Sequence, residues 1–411
     1  MTETAKKPAI RFDGFTEAWE QRKLSEYLEV SSEKNTEDTF TKQDVLSVSG
    51  DYGIVNQIEF QGRSFAGASV SNYGVVRTGD VVYTKSPLNL NPYGIIKTNK
   101  GKPGIVSTLY AVYHPRETVV PDFVQVYFEQ HARMNNYMHP LVNKGAKNDM
   151  KVSSENALKG DVIFPDITEQ RQNVALFAKL DNLITLHQQK YDKLLTFKKS
   201  MLEKLFPQNG AKVPEVRFAG FAGEWELHSL KEIVKEINRN DPTSDAPIMM
   251  ITASNGFIEQ SDRYSFDNAG DSLKKYILLK KGELAYNHGA SKLRPYGSCF
   301  ALTKRDEARI PFVYHCFSAE GNNPEFLSLE LNGADVESQL RKIVSSGARM
   351  DGLLNISFEE YTSVSILLPK EEEQNKIADF FRAIEELVSL YGTELEKLKN
   401  IKAALLEKMF V

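Results

Sequence analysis

Two long stretches of the chain place apolar residues at alternating steps of three and four, which is the spacing of a coiled-coil seam. The first stretch starts at Phe177, and adding 204 to its seam positions gives the second, which starts at Phe381. The predicted seam residues are Phe177, Leu180, Ile184, Tyr191, Leu194, Met201 and Leu205, then Phe381, Ile384, Val388, Tyr391, Leu395, Leu398, Leu405 and Met409. The pattern predicts two long helices.

An apolar stripe of this kind has to be buried, and each helix is the nearest equal partner of the other. We therefore predict an antiparallel pair, about 58 Å long if about 39 residues rise 1.5 Å each. In the alternative interpretation, each stripe packs against its own globular domain. Lys198 and Lys402 interrupt the two seams at equivalent positions. Such a lysine either sets the register at some cost in stability or extends its amine to water. Replacing both with leucine is expected to raise thermal stability.

Local signals mark where the helices begin and end. Asp166 with Glu169 is expected to form a capping box at the start of the first helix. The run Phe-Pro-Gln-Asn-Gly at 206–210 ends that helix, because proline and glycine cannot continue it. The second helix starts in the acidic run at 371–373, which suits the positive end of the helix dipole.

The rest of the chain contains an internal sequence repeat with two copies. Residues 8–24 and 214–230 share eight residues at an offset of 206, and both tryptophans of the protein, Trp19 and Trp225, lie in this match. Fainter matches follow at an offset of 203, such as Gly-Asp-Val-Val-Tyr from 79 with Gly-Glu-Leu-Ala-Tyr from 282. Between these matches the copies differ, so one scaffold carries two different surfaces.

We call the matched stretches 8–24 and 214–230 the arms. The segments between each arm and the long helix that follows it are typical of mixed α/β domains. Short β-branched or aromatic runs bounded by glycine predict strands at Val45–Val48 and Val75–Tyr83. Phe123–Tyr137 and Phe326–Val344 are predicted to be helices.

We assign the chain to the α+β class: two tandem mixed α/β domains, two long antiparallel coiled-coil helices that separate them, and an internal pseudo-twofold repeat. The predicted boundaries are 1–166 for the first arm and domain, 167–207 for the central helix, 208–369 for the second arm and domain, and 370–411 for the C-terminal helix.

Composition narrows the class of protein further. With 41% hydrophobic and 26% charged residues, the chain is expected to fold rather than to be disordered. A net charge of −4 argues against a protein that coats nucleic acid without selectivity. Two cysteines, Cys299 and Cys316, are too few for a disulfide framework or a four-ligand zinc site. No apolar run approaches the roughly 18 residues that span a bilayer, so a cytoplasmic location is expected.

Three motifs, each present in both copies, resemble the specificity subunits of type I restriction–modification systems. They are the Arg-Phe-x-Gly-Phe-x3-Trp arms (Arg11–Trp19, Arg217–Trp225), the Pro-x4-Gln entries into the helices (Pro165 and Gln170, Pro369 and Gln374), and the Leu-Glu-Lys-[Leu/Met]-Phe helix ends (Leu202–Phe206, Leu406–Phe410). The resemblance covers essentially the whole chain. Each of the two mixed α/β domains would then be a target-recognition domain that reads one half of a bipartite double-stranded DNA site.

The resemblance also implies partners. The helices would dock two methyltransferase subunits, and two restriction subunits would join the full complex. S-adenosylmethionine, ATP and Mg²⁺ would act in those partner subunits, with no cofactor in this chain.

Candidate DNA contacts lie in polar and basic loops, chiefly those after the strands that end at Tyr83 and Tyr286. Base-edge readout needs side chains that present hydrogen-bond donors and acceptors, and lysines suit phosphates. The predicted contacts are Lys85, Ser86, Asn89, Asn91, Lys97, Lys100, Lys102, Lys144, Lys147, Asn148, Asn287, His288, Ser291, Lys292, Arg294, Tyr296 and Arg349. Ordinary loop polarity is the alternative for each of them.

The sequence indicates no catalytic or metal site. Asn91-Pro92-Tyr93 lacks the second proline of an adenine-methyltransferase loop, and the other copy has Arg294 in place of the asparagine. The chain contains no Gly-x-Gly and no phosphate loop. Two other functions stay open: a scaffold without sequence readout, and an enzyme with a cryptic metal site.

Overall fold

The computed structural model describes residues 7–88, 90–144, 150–262, 270–344 and 354–411. The chain forms two compact units, the first made of Met1–Gln189 with Tyr391–Val411 and the second of Lys190–Leu390. Each unit combines one globular region with part of both long helices, whereas the predicted boundaries keep each helix whole.

The long helices are α4 (Ile167–Leu205) and α9 (Glu371–Lys408). The other elements of the first unit are β1 (Glu20–Lys23), β2 (Leu28–Val30), β3 (Leu46–Ser49), β4 (Gly53–Asn56), α1 (Gln57–Gln61), β5 (Gly74–Val76), β6 (Val81–Thr84), β7 (Ile96–Thr98), β8 (Gly104–Val106), β9 (Tyr110–Pro115), α2 (Pro121–Phe128), α3 (His131–Met138), β10 (Asn143–Lys144), β11 (Met150–Lys151) and β12 (Asp161–Phe164). Those of the second are β13 (Glu226–Ser229), α5 (Leu230–Ile233), β14 (Lys235–Glu236), β15 (Met249–Thr252), β16 (Gly256–Glu259), β17 (Ile277–Lys280), β18 (Leu284–Asn287), β19 (Ser298–Ala301), β20 (Glu307–Ile310), β21 (His315–Ser318), α6 (Pro324–Leu331), α7 (Ala334–Ile343), α8 (Phe358–Thr362) and β22 (Ser365–Leu368).

Each unit is built on its own four-stranded antiparallel sheet, and the two sheets have equivalent strand orders. The four-stranded sheet has the order β2-β9-β6-β7 in the first unit and β14-β21-β18-β19 in the second. Matching two-stranded pairs surround it: β1-β12, β3-β4 and β5-β8 in the first unit, and β13-β22, β15-β16 and β17-β20 in the second. The mixed α/β class and the internal repeat are therefore confirmed.

The strand predicted at 75–83 is wrong, because a turn divides it into β5 and β6. Arg77 N donates to the Asp80 carboxylate (2.6 Å), and Gly79 has a φ of 92°, which favours glycine. The predicted single helices at 123–137 and 326–344 are also divided. Extended backbone at Gln130 (ψ 114°) separates α2 from α3, and extended backbone at Gly333 (ψ 162°) separates α6 from α7.

The arms are fixed to the starts of the long helices by paired ionic hydrogen bonds. Nε and Nη2 of Arg11 each lie 2.7 Å from a carboxylate oxygen of Glu169, and Arg217 makes the same two bonds, both 2.7 Å, to Glu373. Trp19 Nε1 also donates to Glu169 (3.2 Å). A bidentate guanidinium–carboxylate pair fixes orientation as well as distance.

Glu169 therefore does not complete the predicted capping box. Asp166 does cap the helix, since its Oδ1 accepts from the backbone N of Thr168 (2.7 Å) and Glu169 (3.2 Å). The prediction that the Glu169 side chain accepts in return from the backbone N of Asp166 is wrong, because that carboxylate binds Arg11 and Trp19 instead.

The glutamine of each Pro-x4-Gln motif joins a long helix to a shorter one. Gln170 accepts from Val120 N (2.9 Å) and donates to Pro165 O (2.9 Å). Gln374 accepts from Asn323 N (3.0 Å) and donates to Pro369 O (3.0 Å). Val120 and Asn323 cap α2 and α6, so each buried amide holds two helix starts together.

Inside each unit the two long helices run antiparallel, as predicted. In the first unit Asp181 pairs with Lys402 (2.7 Å), and the ring of His187 lies 5.7 Å from that of Tyr391. In the second unit Lys198 pairs with Glu385. All fifteen predicted seam residues are buried or partly buried. Those near the helix ends, such as Phe177 and Phe381, also enter the globular cores.

The seam lysines are ion-paired, which the sequence did not predict. Lys402 Nζ lies 2.7 Å from both Glu129 and Asp181, while Lys97 is 3.4 Å from Glu129. Burial alone would raise the pKa of Glu129, but Lys97 and Lys402, with a hydrogen bond from Gln125, lower it below its ordinary value.

Lys402→Leu should therefore destabilise the first unit by about 1–3 kcal/mol, because it removes one of the two cations beside a buried carboxylate. This reverses the stabilisation expected from the seam pattern. Lys198→Leu is the matched control: its partner Glu385 is exposed, and the change should stay within about 1 kcal/mol. Chemical denaturation followed separately in each unit measures both. An equal free energy of unfolding in the two variants, or a gain in stability for Lys402→Leu, would favour the interpretation drawn from the seam pattern.

Glu330 on α6 gives the second unit a dependence on pH. The residue keeps some exposed surface, but its carboxyl is enclosed by protein, and burial raises its pKa to about 8. An unfolded glutamate titrates near 4.5. The folded state thus holds a proton that the unfolded state releases, so stability falls as pH rises from about 4.5 to about 8.

Glu330→Gln should remove this slope and raise the melting temperature of the second unit at pH 8. Glu325→Gln, on the same helix, is the control, because Glu325 pairs with Arg382 at the surface. Thermal melting between pH 5 and pH 8.5 tests the prediction. If the melting temperature changed with pH by the same amount in wild type and Glu330→Gln, the prediction would be contradicted.

Candidate nucleic-acid interface

Each unit presents an equivalent loop after an inner strand of its four-stranded sheet. The loops comprise residues 85–95 after β6 and 288–297 after β18. Leu88 N donates to Asn91 O (3.0 Å) in the first, and Ser291 N donates to Arg294 O (3.0 Å) in the second. The two hydrogen bonds are related by the offset of 203, so the same backbone contact closes both loops.

A buried tyrosine holds the base of each loop. The hydroxyl of Tyr83 donates to Tyr93 O (2.8 Å), and that of Tyr286 donates to Tyr296 O (2.6 Å). Burial raises the pKa of both hydroxyls above the ordinary value, so they stay protonated and able to donate.

Glycine is required where each loop returns to the sheet. Gly94 and Gly297 have φ of 80° and 82°. A Cβ at these positions would lie 1.9 Å from Thr84 O and 2.6 Å from Asn287 O. The backbone contact that closes each loop is thus available only to glycine, which gives the repeated Pro-Tyr-Gly motif a physical reason.

In the first loop some of the predicted polar contacts have partners or partial burial within the chain. The Asn91 side-chain oxygen lies 2.8 Å from Nδ1 of His131, and Ser86 is partly buried. Lys85 is partly buried too, and burial together with neighbouring Lys34 lowers its pKa. The structure thus adds Lys34 to this surface, a residue that no sequence cluster indicated.

The three predicted lysines in β7 and the turn after it, Lys97, Lys100 and Lys102, differ in their surroundings. Lys97 is only 8% exposed and pairs with Glu129, so the structure corrects the prediction that it reaches DNA. Lys100 is exposed but pairs with Asp122 (3.3 Å). Lys102 is exposed and is the member of the cluster best placed for a phosphate.

Asn287, at the end of β18, and Arg294, in the second loop, have side chains that bind within the protein. Asn287 Nδ2 donates to Ile251 O (3.0 Å), and Nη1 of Arg294 donates to Asn332 O (2.6 Å). Burial lowers the pKa of Arg294. Both side chains support the loop from within, which leaves little of either for base contacts. The predicted residues of this loop that keep some exposed surface are Ser291, Lys292, Arg294 and Tyr296.

His288 also has an internal role, which corrects its predicted contact with DNA. It is 8% exposed; Nδ1 lies 2.7 Å from Leu354 O and Nε2 2.7 Å from Val313 O. Burial lowers the pKa of the stacked His315. His288 joins the end of β18 to the segment that starts at Leu354.

Four predicted contacts, Asn89, Lys147, Asn148 and Arg349, lie outside the described residues, and Lys144 lies in β10. Among the described residues, no cluster of three or more His, Cys, Asp or Glu is arranged to hold a metal ion. Nor does any helix in the described ranges have the length and apolarity to cross a membrane.

Comparison with known proteins identifies relatives of this architecture. No family model matches the chain. The type I restriction enzyme HindI specificity subunit of Haemophilus influenzae is 24% identical over 197 residues, which are 46% of this chain and 41% of that protein. The chain thus spans about two fifths of the length of the curated relative it matches.

The solved S subunit of a type I restriction–modification system from M. genitalium covers 98% of this chain and 99% of its own, with a TM-score of 0.58 and 10% identity. The chain has the fold of a type I specificity subunit. The HsdS subunit from Thermoanaerobacter tengcongensis covers 95% of this chain and 96% of its own, with 17% identity and a TM-score of 0.41. Within the specificity-subunit fold, the loops at 85–95 and 288–297 are equivalent positions of the two halves of the repeat.

Proposed function

We propose that the chain is the non-catalytic specificity subunit of a type I restriction–modification complex and reads a bipartite site on double-stranded DNA. Two methyltransferase subunits bind it, and two restriction subunits complete the assembly. S-adenosylmethionine, ATP and Mg²⁺ act in those partners, and this chain supplies no cofactor site. The assembled complex is then a site-specific deoxyribonuclease and an adenine DNA methyltransferase.

The observation that carries this proposal is the duplication of one loop with different side chains. The turns at 88–91 and 291–294 have the same closing hydrogen bond, yet their sequences are Leu-Asn-Leu-Asn and Ser-Lys-Leu-Arg. Two readers with one geometry and different side chains suit two unlike half-sites, because sequence is read by side chains at base edges.

The charge of the loops supports a polyanionic partner. The chain has 55 acidic residues among 411, but none lies in residues 85–95 or 288–297. Lys85, Lys292 and Arg294 are cations of these segments that keep some exposed surface. The lack of acidic residues within both segments favours approach to phosphates although the net charge of the chain is −4.

The long helices carry a repeated apolar surface that supports two equal partners. Leu183 and Leu186 on α4 are 44% and 46% exposed, and Leu387 and Leu390 on α9 are 43% and 51% exposed. Each pair is three residues apart, on one helix face, and the pairs differ by 204 in number. We call them the first and second leucine patches. Exposed apolar patches indicate protein interfaces, and equivalent patches in both units suit two copies of one subunit.

The test is a chimera in which residues 20–165 are replaced by the corresponding segment of another specificity subunit. The chimera and its methyltransferase subunits are expressed in cells, and the methylome is sequenced. One half-site should change and the other should stay. Methylation without sequence preference would support the scaffold alternative, and a simultaneous change in both half-sites would contradict two independent readers.

A further inference from the structure

Each loop presents a leucine to solvent at the same position of its turn. Leu90 is 70% exposed and Leu293 is 63% exposed, and the two are related by the offset of 203 that relates the loops. The other three residues of the turn differ between the copies, while the leucine is present in both. Neither leucine belongs to the polar contacts that the sequence predicts.

A hydrogen bond anchors the residue that follows each leucine. Asn91 binds His131 (2.8 Å), and Arg294 donates to Asn332 O (2.6 Å). The same two residues accept the backbone hydrogen bonds that close the loops. These contacts restrict the backbone beside each leucine, which lowers the entropy cost of ordering the loop when it binds.

The surroundings of the leucines favour nucleic acid over an apolar protein surface. Both segments lack acidic residues and contain lysine, and Lys292 directly precedes Leu293. An apolar side chain beside cations suits a DNA groove, where it can contact the methyl group of thymine or enter a base step while the cations face phosphates.

We propose that Leu90 and Leu293 are equivalent apolar tips, each of which contacts the bases of the half-site read by its own unit. This inference rests on the proposed function and adds to it a kind of contact that hydrogen-bonding side chains do not provide. Because the contact is apolar, it should contribute affinity that salt does not screen.

The experiment uses the full chain in complex with its methyltransferase subunits and three duplexes: the native site found by methylome sequencing, and that site with either half scrambled. Leu90→Ala should weaken binding to the native duplex about tenfold. It should have no effect once the half-site of the first unit is scrambled, and it should keep its effect when the other half is scrambled. Leu293→Ala should give the mirror image.

Leu227→Ala is the control, since Leu227 is 63% exposed on β13, outside both loops. Its affinity should be unchanged, and the salt dependence of binding should have the same slope in all variants. Native affinity in Leu90→Ala and Leu293→Ala, or an equal loss on all three duplexes, would overturn the inference. If the wild-type complex does not distinguish the native duplex from the scrambled ones, it is the proposed function that fails.

Discussion

Replacing Phe410 with alanine is expected to destabilise the first unit by about 3–5 kcal/mol and to leave the second unit intact. Phe410 is 4% exposed, and its ring lies 6.1 Å from Trp19, 5.6 Å from Phe123 and 5.7 Å from Phe177. The residue thus fills the core formed by the opposite end of the chain. Its removal leaves a cavity between rings that are fixed by the arm, α2 and α4.

Phe206 is the matched residue of the second unit. Its ring lies 5.9 Å from Trp225 and 5.4 Å from Phe326, so Phe206→Ala should destabilise that unit by a similar amount. Hydrogen exchange followed by mass spectrometry measures each unit separately, which is needed because chains with more than one compact unit generally do not unfold in a single two-state transition. Faster exchange throughout both units in either variant would contradict the assignment of these residues to separate cores.

The same two phenylalanines show how far the sequence could predict the fold. The spacing of the Leu-Glu-Lys-x-Phe motifs marks the ends of the helices, and the heptad seam fixes which helix face is buried, because both depend on local periodicity. The sequence does not show which core receives Phe410, since that depends on contacts between residues several hundred positions apart. The pseudo-twofold repeat was predictable for a different reason: matched tryptophans and arms can be counted directly.

Long-range pairing also explains the errors at single residues. Glu169 fits the local pattern of a capping box, but its carboxylate is bound by Arg11, 158 residues earlier. Lys97 and Lys102 look alike in sequence, yet Lys97 is enclosed with Glu129 and Lys102 is exposed. A local pattern identifies which side chains can bind an anion, and the tertiary fold decides which of them remain free to do so.

The loops after β6 and β18 could be predicted as candidate sites from the repeat, but the surroundings of their side chains could not. The predicted contacts are polar residues and include neither leucine. In the structure Asn91 and Arg294 are hydrogen-bonded to His131 and Asn332, while Leu90 and Leu293 are exposed. A sequence signal did exist: Leu90 and Leu293 are identical at equivalent positions within otherwise different turns.

In the complex that we propose, with two methyltransferase subunits, changing both leucines of the first patch to aspartate is expected to remove one of those subunits. Each leucine should contribute about 1.5–3 kcal/mol when it is buried by a partner, and a carboxylate in an apolar contact adds a desolvation cost. Two such changes should weaken that interface by more than about a hundredfold. Leu387→Asp with Leu390→Asp should remove the other subunit, and the fourfold variant should bind neither.

Native mass spectrometry of the assembled complex reports these stoichiometries directly. Leu227→Asp is the control, because it places the same charge at a leucine that is 63% exposed but lies outside the patches; it should keep two methyltransferase subunits. A fourfold variant that still carries two would show that the patches are not the docking surface. Loss of both subunits on changing one patch would mean that the two partners bind cooperatively. Because the patches are equivalent in the repeat, the result that supports independent docking is the loss of one subunit per patch, whichever patch is changed.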